Sequence, residues 1–331
     1  MDGRAHGVVS DRLGAPPVLD VVDVVQEFRL RRPGGRDLSA LSHVSFRVYE
    51  GETLGIVGES GSGKTTLART IVQLPPPRSG QIWFRGHELT RARGRRLQRC
   101  RRGIQMVFQD PMGSLNPKWR VRRIVEEPLI GCAVASREER RIRVEEALAL
   151  VGLPVSRFGQ RRPGELSGGQ CQRVAIARAV VSRPALVVCD EAVSSLDVLI
   201  QEQILDLFRR LRGELGLSYL FISHDLRVVR QISDRIAVLH CGQLCEIGPT
   251  AALFDGASHP YTRTLFAYVG SSERRFGGDM VEAESPSPLD PPSGCRFRTQ
   301  CPSARRVCAG EEPRLRQIGP DHFVACHYPE R

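Results

Sequence analysis

Between Val57 and Thr66 the chain reads Val-Gly-Glu-Ser-Gly-Ser-Gly-Lys-Thr-Thr, a run able to wrap its backbone around phosphate oxygens. Gly58, Gly61, Gly63, Lys64 and Thr65 fill the G-x-x-x-x-G-K-[ST] template. Glycines let successive N–H groups turn inward where side chains would block the approach. Lys64 is placed to reach the β- and γ-phosphates, and the Thr65 hydroxyl to take one Mg²⁺ position. Glu59, Ser60, Ser62 and Thr66 complete the loop's candidate ATP-binding set. About a hundred residues on, Leu166 to Gln170 reads Leu-Ser-Gly-Gly-Gln. Ser167 is a good N-cap, and Gly168 and Gly169 leave the start of a helix open, an anion site aimed outward. Two phosphate-binding devices in one chain imply a nucleotide-driven machine that works as a pair.

Three apolar runs end in polar groups suited to the same chemistry. Leu186 to Cys189 leads into Asp190 and Glu191. Asp190, at the strand edge, suits Mg²⁺, directly or through water, and Glu191 beyond it suits a general base that polarises the attacking water. Tyr219 to Ile222 leads into Ser223-His224-Asp225, whose imidazole can donate to a γ-phosphate oxygen. Met106-Val107-Phe108 leads into Gln109, whose amide can sense Mg²⁺ or the attacking water.

These groups need a frame, and the pattern supplies one. Thr53–Val57 reads as a buried parallel strand and Leu67–Val72 as a helix, so the loop sits between strand and helix. Val44, Phe46 and Val48 alternate as a half-buried strand, and Gln81–Phe84 forms another. Ser136-Arg137-Glu138-Glu139 is a capping box opening a helix whose apolar side is Ile142, Ala147, Leu148 and Leu150. Strand–helix alternation resumes with helices over 198–211 and 225–232 and a strand over 236–239. The expected fold is α/β, with strand-end loops carrying the chemistry. The 331 residues are 41% hydrophobic, ample for a packed core plus additions. No apolar stretch approaches the roughly 20 residues that span a bilayer, and no signal-peptide pattern opens the chain. Any membrane channel this chain powers is therefore expected on other polypeptides. Much of the net charge of +11 gathers in Arg91, Arg93, Arg95, Arg96, Arg99, Arg101 and Arg102, which suits a solvated face, anionic headgroups or nucleic acid.

In order and spacing, Gly58–Thr65, Gln109, Leu166–Gln170, Asp190-Glu191, Ser195-Leu196-Asp197 and His224 resemble the full motif set of an ABC-type ATPase. Phe28 lies where such proteins place an aromatic residue on the adenine. Phe108-Gln109-Asp110-Pro111, Gly113-Ser114-Leu115-Asn116-Pro117, Glu126-Glu127-Pro128-Leu129 and His259-Pro260-Tyr261-Thr262 narrow the resemblance to the oligopeptide/dipeptide/nickel importer branch. Ser287-Pro288-Leu289, Pro291-Pro292 and Gly294-Cys295 match it too. The resemblance implies that the signature, Ser167 to Gln170, meets ATP held by the facing subunit, with Asp197 of the D-loop at that interface. It also implies a second ATPase chain, generally a paralogue, two membrane permeases and, indirectly, an extracytoplasmic solute-binding protein. The place of work is then the cytoplasmic face of the cell membrane, with no nucleic acid as partner. The competing reading, suggested by the charge alone, is an ABC-type ATPase acting on nucleic acid or ribosomes. Three positions depart from the family pattern: Ala192 for Pro, which can loosen Glu191, Cys171 for Arg, and His240-Cys241 for a pair such as Tyr-Leu.

The expected organisation is a tail over 1–17, a core over 18–111 and 166–270, a helical subdomain over 112–165 and a C-terminal extension over 271–331. Within that extension Cys295, Cys301, Cys308 and Cys326 fall as C-x5-C-x6-C-x17-C. Four thiolates suit zinc or an iron–sulfur cluster, and the wide gaps favour the cluster. Subunits of the resembling branch carry a similar tail, some with [4Fe-4S]; zinc and unmetallated thiols stay open. Cys100, Cys132, Cys171, Cys189, Cys241 and Cys245 read as ordinary core or surface thiols.

Overall fold

The computed structural model describes residues 16–29, 38–131, 136–270 and 291–330. Residues 1–15 of the expected tail over 1–17, Cys132 and the Ser287-Pro288-Leu289 run lie outside them.

Two sheets frame the molecule. The first contains β1 (Leu19–Phe28), β2 (Leu38–Val48), β4 (Ser79–Phe84) and β5 (His87–Glu88), antiparallel in the order β2-β1-β4-β5. The alternation of Val44, Phe46 and Val48 is realised, each side chain buried while Ser45 and Arg47 are half-exposed. The second sheet has β3 (Thr53–Val57), β6 (Ile104–Val107), β7 (Leu186–Asp190), β8 (Ser218–Ile222) and β9 (Arg235–His240), parallel in the order β9-β3-β8-β7-β6. Strands β3, β7, β8 and β9 are buried along their whole length, because helices cover both faces. Antiparallel β10 (Gln243–Pro249), β12 (His322–Val324) and β11 (Arg316–Gly319) extend the β9 edge. The C-terminal region thus adds strands to the main sheet, Glu246 pairing with Val324 across β10 and β12.

Helix α1 (Lys64–Ile71) follows the glycine loop directly. The arginine run forms α2 (Gly94–Gly103). Arg95, Arg96 and Arg99 are exposed on it, whereas Arg101 and Arg102 donate to the carbonyls of Gln73 and Gly131 and tie the helix down. The described residues between 111 and 165 carry α3 (Pro111–Ser114), α4 (Val121–Gly131), α5 (Arg137–Leu150) and α6 (Val155–Phe158), then a 3₁₀ turn over Pro163–Glu165. Their apolar faces join one core with α7 (Gly168–Val180) and α8 (Val198–Leu215).

Two details of α5 depart from expectation. Ser136 Oγ accepts from the Glu139 N–H, but the Glu139 carboxylate turns to Arg143 rather than closing the box. Ile142 is 44% exposed, and Val144 takes the inward place beside Ala147 and Leu148. The chain closes with α9 (Leu226–Ile232), α10 (Thr250–Gly256), α11 (Pro260–Gly270) and α12 (Arg306–Gly310). No helix among the described residues is long and apolar enough to cross a membrane.

Glu52 and Arg235 fix the frame where the two sheets meet. Both are buried, with Arg235 Nη1 3.1 Å from Glu52 Oε1, while Glu52 Oε2 accepts from the Tyr49 N–H. Since Glu52 immediately precedes β3, this pair sets where that strand delivers the glycine loop.

Candidate functional site

The parallel strands β3, β6, β7 and β8 end on one side of the sheet, and the polar groups predicted there converge. A cavity of about 620 Å³ is lined by Ser60, Gly61, Gly63, Lys64, Thr65 and Thr66 from the loop. Gln109, Glu191 and His224 line its opposite wall, and Phe28, half-buried at the end of β1, forms its rim. Gly58 and Ser62 are buried behind the loop, and Glu59 lies on its outer side.

Glycine is required at Gly58 and Gly63 by contact as well as conformation. At Gly58, φ is +154° and a Cβ would stand 2.1 Å from the Leu239 carbonyl oxygen. At Gly63, φ is +104° and a Cβ would meet the Ala40 carbonyl oxygen at 2.5 Å. Any side chain would push the loop off β9 and β2.

Lys64 is buried at the start of α1, its Nζ donating to the carbonyls of Gly58 (2.8 Å) and Glu59 (2.7 Å). Burial pushes its ammonium below the usual lysine range, while Glu191, Asp190 and Glu59 pull the other way. Asp190 is 2% exposed and its Oδ1 accepts from Thr65 Oγ1 at 3.1 Å. Burial, and then the neighbouring Glu191 charge, raise its carboxyl above the usual range, against the pull of Thr65, Arg69 and Lys64. A buried carboxylate in contact with the hydroxyl of Thr65, which lines the cavity, is a donor pair that suits a hard cation.

Glu191 sits just past β7 with φ +49°, a left-handed backbone uncommon outside glycine. Its N–H donates to Ile222 O, and its C=O accepts from the Ser194 N–H and Oγ. These bonds hold it from both sides with Ala192 in place of proline. Its carboxylate meets the two other predicted catalytic groups: Gln109 Nε2 donates to Oε2 at 2.9 Å, and His224 Nδ1 lies 3.2 Å from Oε1. Both partners were expected to face phosphate, Mg²⁺ or water; here both contact the Glu191 carboxylate.

The signature lies elsewhere. Ser167 Oγ accepts from the Gln170 N–H while Gln170 Oε1 accepts from the Ser167 N–H, a reciprocal box that holds open the N-terminus of α7. Ser167 and Gly168 are exposed, and none of the four signature residues lines the cavity. Asp197 caps α8, accepting from the Ile200 N–H, and Ile200 lies against Gly169, so signature and D-loop are neighbours. Val198 and Leu199 beside them are 74% and 77% exposed.

Some lining residues carried no local sequence signal. Leu38, Ser39 and Ala40 of β2 and Cys241-Gly242 of the β9–β10 turn also face the cavity. Cys241, read as an ordinary thiol, sits at φ +45° in that tight turn. Its only hint was the departure from the family pattern at His240-Cys241.

Cys295, Cys301, Cys308 and Cys326 gather around one small cavity, together with His259, Arg298, His327 and Tyr328. Burial raises the thiols of Cys295, Cys301 and Cys326, that of Cys301 to about 11. Beneath them lies Cys245, fully buried, its thiol also raised by burial and by its neighbours Cys295, Cys241 and Cys326. Among the described residues no group of three His, Cys, Asp or Glu side chains is close enough to hold a single metal ion.

Residues 41–194 match the ABC transporter family, and residues 245–308 match the oligopeptide/dipeptide transporter C-terminal region. The oligopeptide transport ATP-binding protein AppF of Bacillus subtilis is 45% identical over 320 residues, 94% of this chain and 97% of that protein. The oligopeptide transport ATP-binding protein OppF of Haemophilus influenzae is 44% identical over 294 residues, 87% of this chain and 88% of that protein. A solved dimeric ATP-binding cassette, MJ0796 in a post-hydrolysis state bound to ADP and Pi, superposes with a TM-score of 0.63 and 32% identity. That match covers 70% of this chain and 98% of the cassette.

Proposed function

The chain belongs to the ABC transporter family, in its peptide-import ATP-binding branch, and on that premise we propose that it hydrolyses ATP to drive peptide uptake through membrane permeases. The observation that carries the chemistry is the convergence of Gln109 and His224 on the Glu191 carboxylate, across one cavity from Lys64.

ATP would enter with its triphosphate along the Gly58–Thr66 loop and its base against Phe28. Lys64, held by the Gly58 and Glu59 carbonyls, would turn its remaining N–H to phosphate oxygens, and Thr65 with Asp190 would hold Mg²⁺. The ion supplies charge neutralisation for the β- and γ-phosphates. Glu191 would accept hydrogen bonding from the attacking water and bias its lone pair toward the γ-phosphorus. Gln109 and His224 orient that carboxylate. A signature from a second ATPase chain, with Asp197, Val198 and Leu199 at the seam, would close the site. The relatives named above carry peptide-transport names, and the nucleic-acid or ribosome reading gains no support from them. Work at a membrane surface, with permeases as partners and a solute-binding protein upstream, follows from the same premise.

Cys295, Cys301, Cys308 and Cys326 line one small cavity but form no metal-holding group among the described residues, so the reading that they take a [4Fe-4S] cluster rests on their spacing in the sequence. The cluster would be held by Cys295, Cys301, Cys308 and Cys326 and would cross-link the lobe. Iron and sulfide should be found in anaerobically purified protein and be lost in Cys301→Ser; a folded, iron-free wild type would refute the cluster.

Replacement of Glu191 by Gln tests the central reading. ATP affinity should persist while turnover falls by about 10²–10⁴-fold. Unchanged turnover would remove Glu191 from the base role.

A further inference from the structure

The His259-Pro260-Tyr261-Thr262 run has no part in the chemistry above, yet it reaches the phosphate loop. Tyr261, buried at the start of α11, accepts a hydrogen bond at its hydroxyl from the Glu59 N–H, 3.1 Å away. That N–H shares a peptide group with the Gly58 carbonyl, which accepts from Lys64 Nζ at 2.8 Å. One peptide plane is therefore held at both ends, by a phenol on the N–H side and by the phosphate-loop ammonium on the carbonyl side. Hydrogen bonds at opposite ends of one amide polarise it in the same sense, so each strengthens the other.

Packing fixes the phenol in place. Its ring lies 4.3 Å from His240 and 5.3 Å from Phe297, centroid to centroid. His240 ends β9, and Phe297 follows Cys295 in the cysteine lobe. Burial pushes the His240 imidazole down to about 4, so the stack carries no charge at neutral pH. A second strut runs alongside it: Arg296 Nη1 donates to the Cys241 carbonyl, and the next residue, Gly242, donates its N–H to Ser62 O in the loop at 2.8 Å. The C-terminal region thus touches the loop directly at Glu59 and, through the β9–β10 turn, at Ser62.

We propose that Tyr261 is a positioning residue for ATP: its hydroxyl orients the Gly58–Glu59 peptide, and with it Lys64, for the incoming triphosphate. The proposal rests on the ATPase reading above. It gives the C-terminal region a share in nucleotide affinity that its distance in sequence from the loop does not suggest. Tyr261 touches no reacting atom, so its effect belongs in binding and not in the chemical step.

The test compares full-length wild type with Tyr261→Phe, which keeps the ring stack and removes only the acceptor. Loss of one backbone-to-hydroxyl bond predicts ATP binding weakened about five- to tenfold by calorimetry. KM for ATP should rise in step, with kcat at saturating ATP unchanged. The nucleotide-free unfolding midpoint should fall as well, since the bond is already present there; a residue serving only stability would lower the midpoint and leave the affinity alone. Hydrogen exchange gives a second reading, the first half of which needs no variant. The Glu59 amide, although on an exposed loop, should exchange slowly in wild type and fast in Tyr261→Phe. Equal ATP affinity in the two proteins, or a wild-type Glu59 amide exchanging as fast as an open loop, overturns the proposal. Failure of the wild type itself to bind ATP would fall on the ATPase reading instead.

Discussion

The phosphate-loop edge and the signature edge are built from the same kind of part, a glycine-bearing loop opening a helix, and they end in opposite conditions. At the first, Lys64, Thr65, Glu191, Gln109 and His224 meet around one cavity within a single copy, with Asp190 bonded to Thr65. At the second, Ser167 and Gly168 stand exposed and Val198 and Leu199 beside them are bare apolar side chains. A capped helix N-terminus that faces outward with apolar neighbours is half of a site. The difference teaches that one copy gathers the groups of the proposed catalytic wall but leaves its signature facing outward, which is why the proposed site needs a second chain to close it.

The strongest way to break that comparison is to spoil the lid alone. Ser167→Arg should lower turnover of the assembled protein by about 10²-fold or more, as removal of a charge-stabilising donor does. ATP binding to the single chain should be unchanged; a parallel loss of binding would mean that the signature serves its own copy's cavity. A second way is to weaken the frame behind the phosphate edge without touching a phosphate ligand. Glu52→Ala leaves Arg235 buried and without its carboxylate, a change expected to cost about 3–5 kcal/mol in denaturant unfolding. A cost typical of a surface pair would show that this bridge does not set β3.

The third and smallest effect sharpens the contrast, because the phosphate edge stores unfavourable charge that the signature edge does not. Asp190 has its carboxyl raised by burial and by Glu191. A carboxyl raised on folding stabilises the protein most when protonated, and that contribution is lost as pH climbs through its folded value. Asp190→Asn in chelator should therefore raise the melting midpoint at neutral pH, by about 2–4 °C per kcal/mol relieved. The gain should vanish on acidification, while Mg²⁺-dependent turnover is lost. A lower midpoint at neutral pH would contradict the assignment.

Legibility in the sequence followed the range of the interactions. The glycine loop, the strand ends at Asp190 and His224 and the cap at Ser167 are set by residues a few positions apart, so residue order alone exposed them. The convergence of Gln109 and His224 on Glu191 was not readable, since three strand ends have to be placed side by side first. Ser39, Ala40 and Cys241 escaped because they reach the cavity through the β9–β10 turn packing on β2, a contact made at long range. Ile142 was placed inward by helical spacing that left the phase undecided, and tertiary packing chose Val144 instead. Strands β11 and β12 were missed because Arg316 and Gln317 are exposed on a polar edge that gives little alternation.

A structure of the Glu191→Gln protein with ATP and Mg²⁺, in the assembly it forms with its partner chains, would decide whether ATP is shared. The γ-phosphate held by Lys64 of one chain should lie about 3 Å from the hydroxyl or N–H groups of a signature loop on the facing chain. Correspondingly, Ser167 of this chain should contact nucleotide bound by its neighbour. A triphosphate fully enclosed by one copy, with Ser167 left in solvent, would overturn the two-chain site.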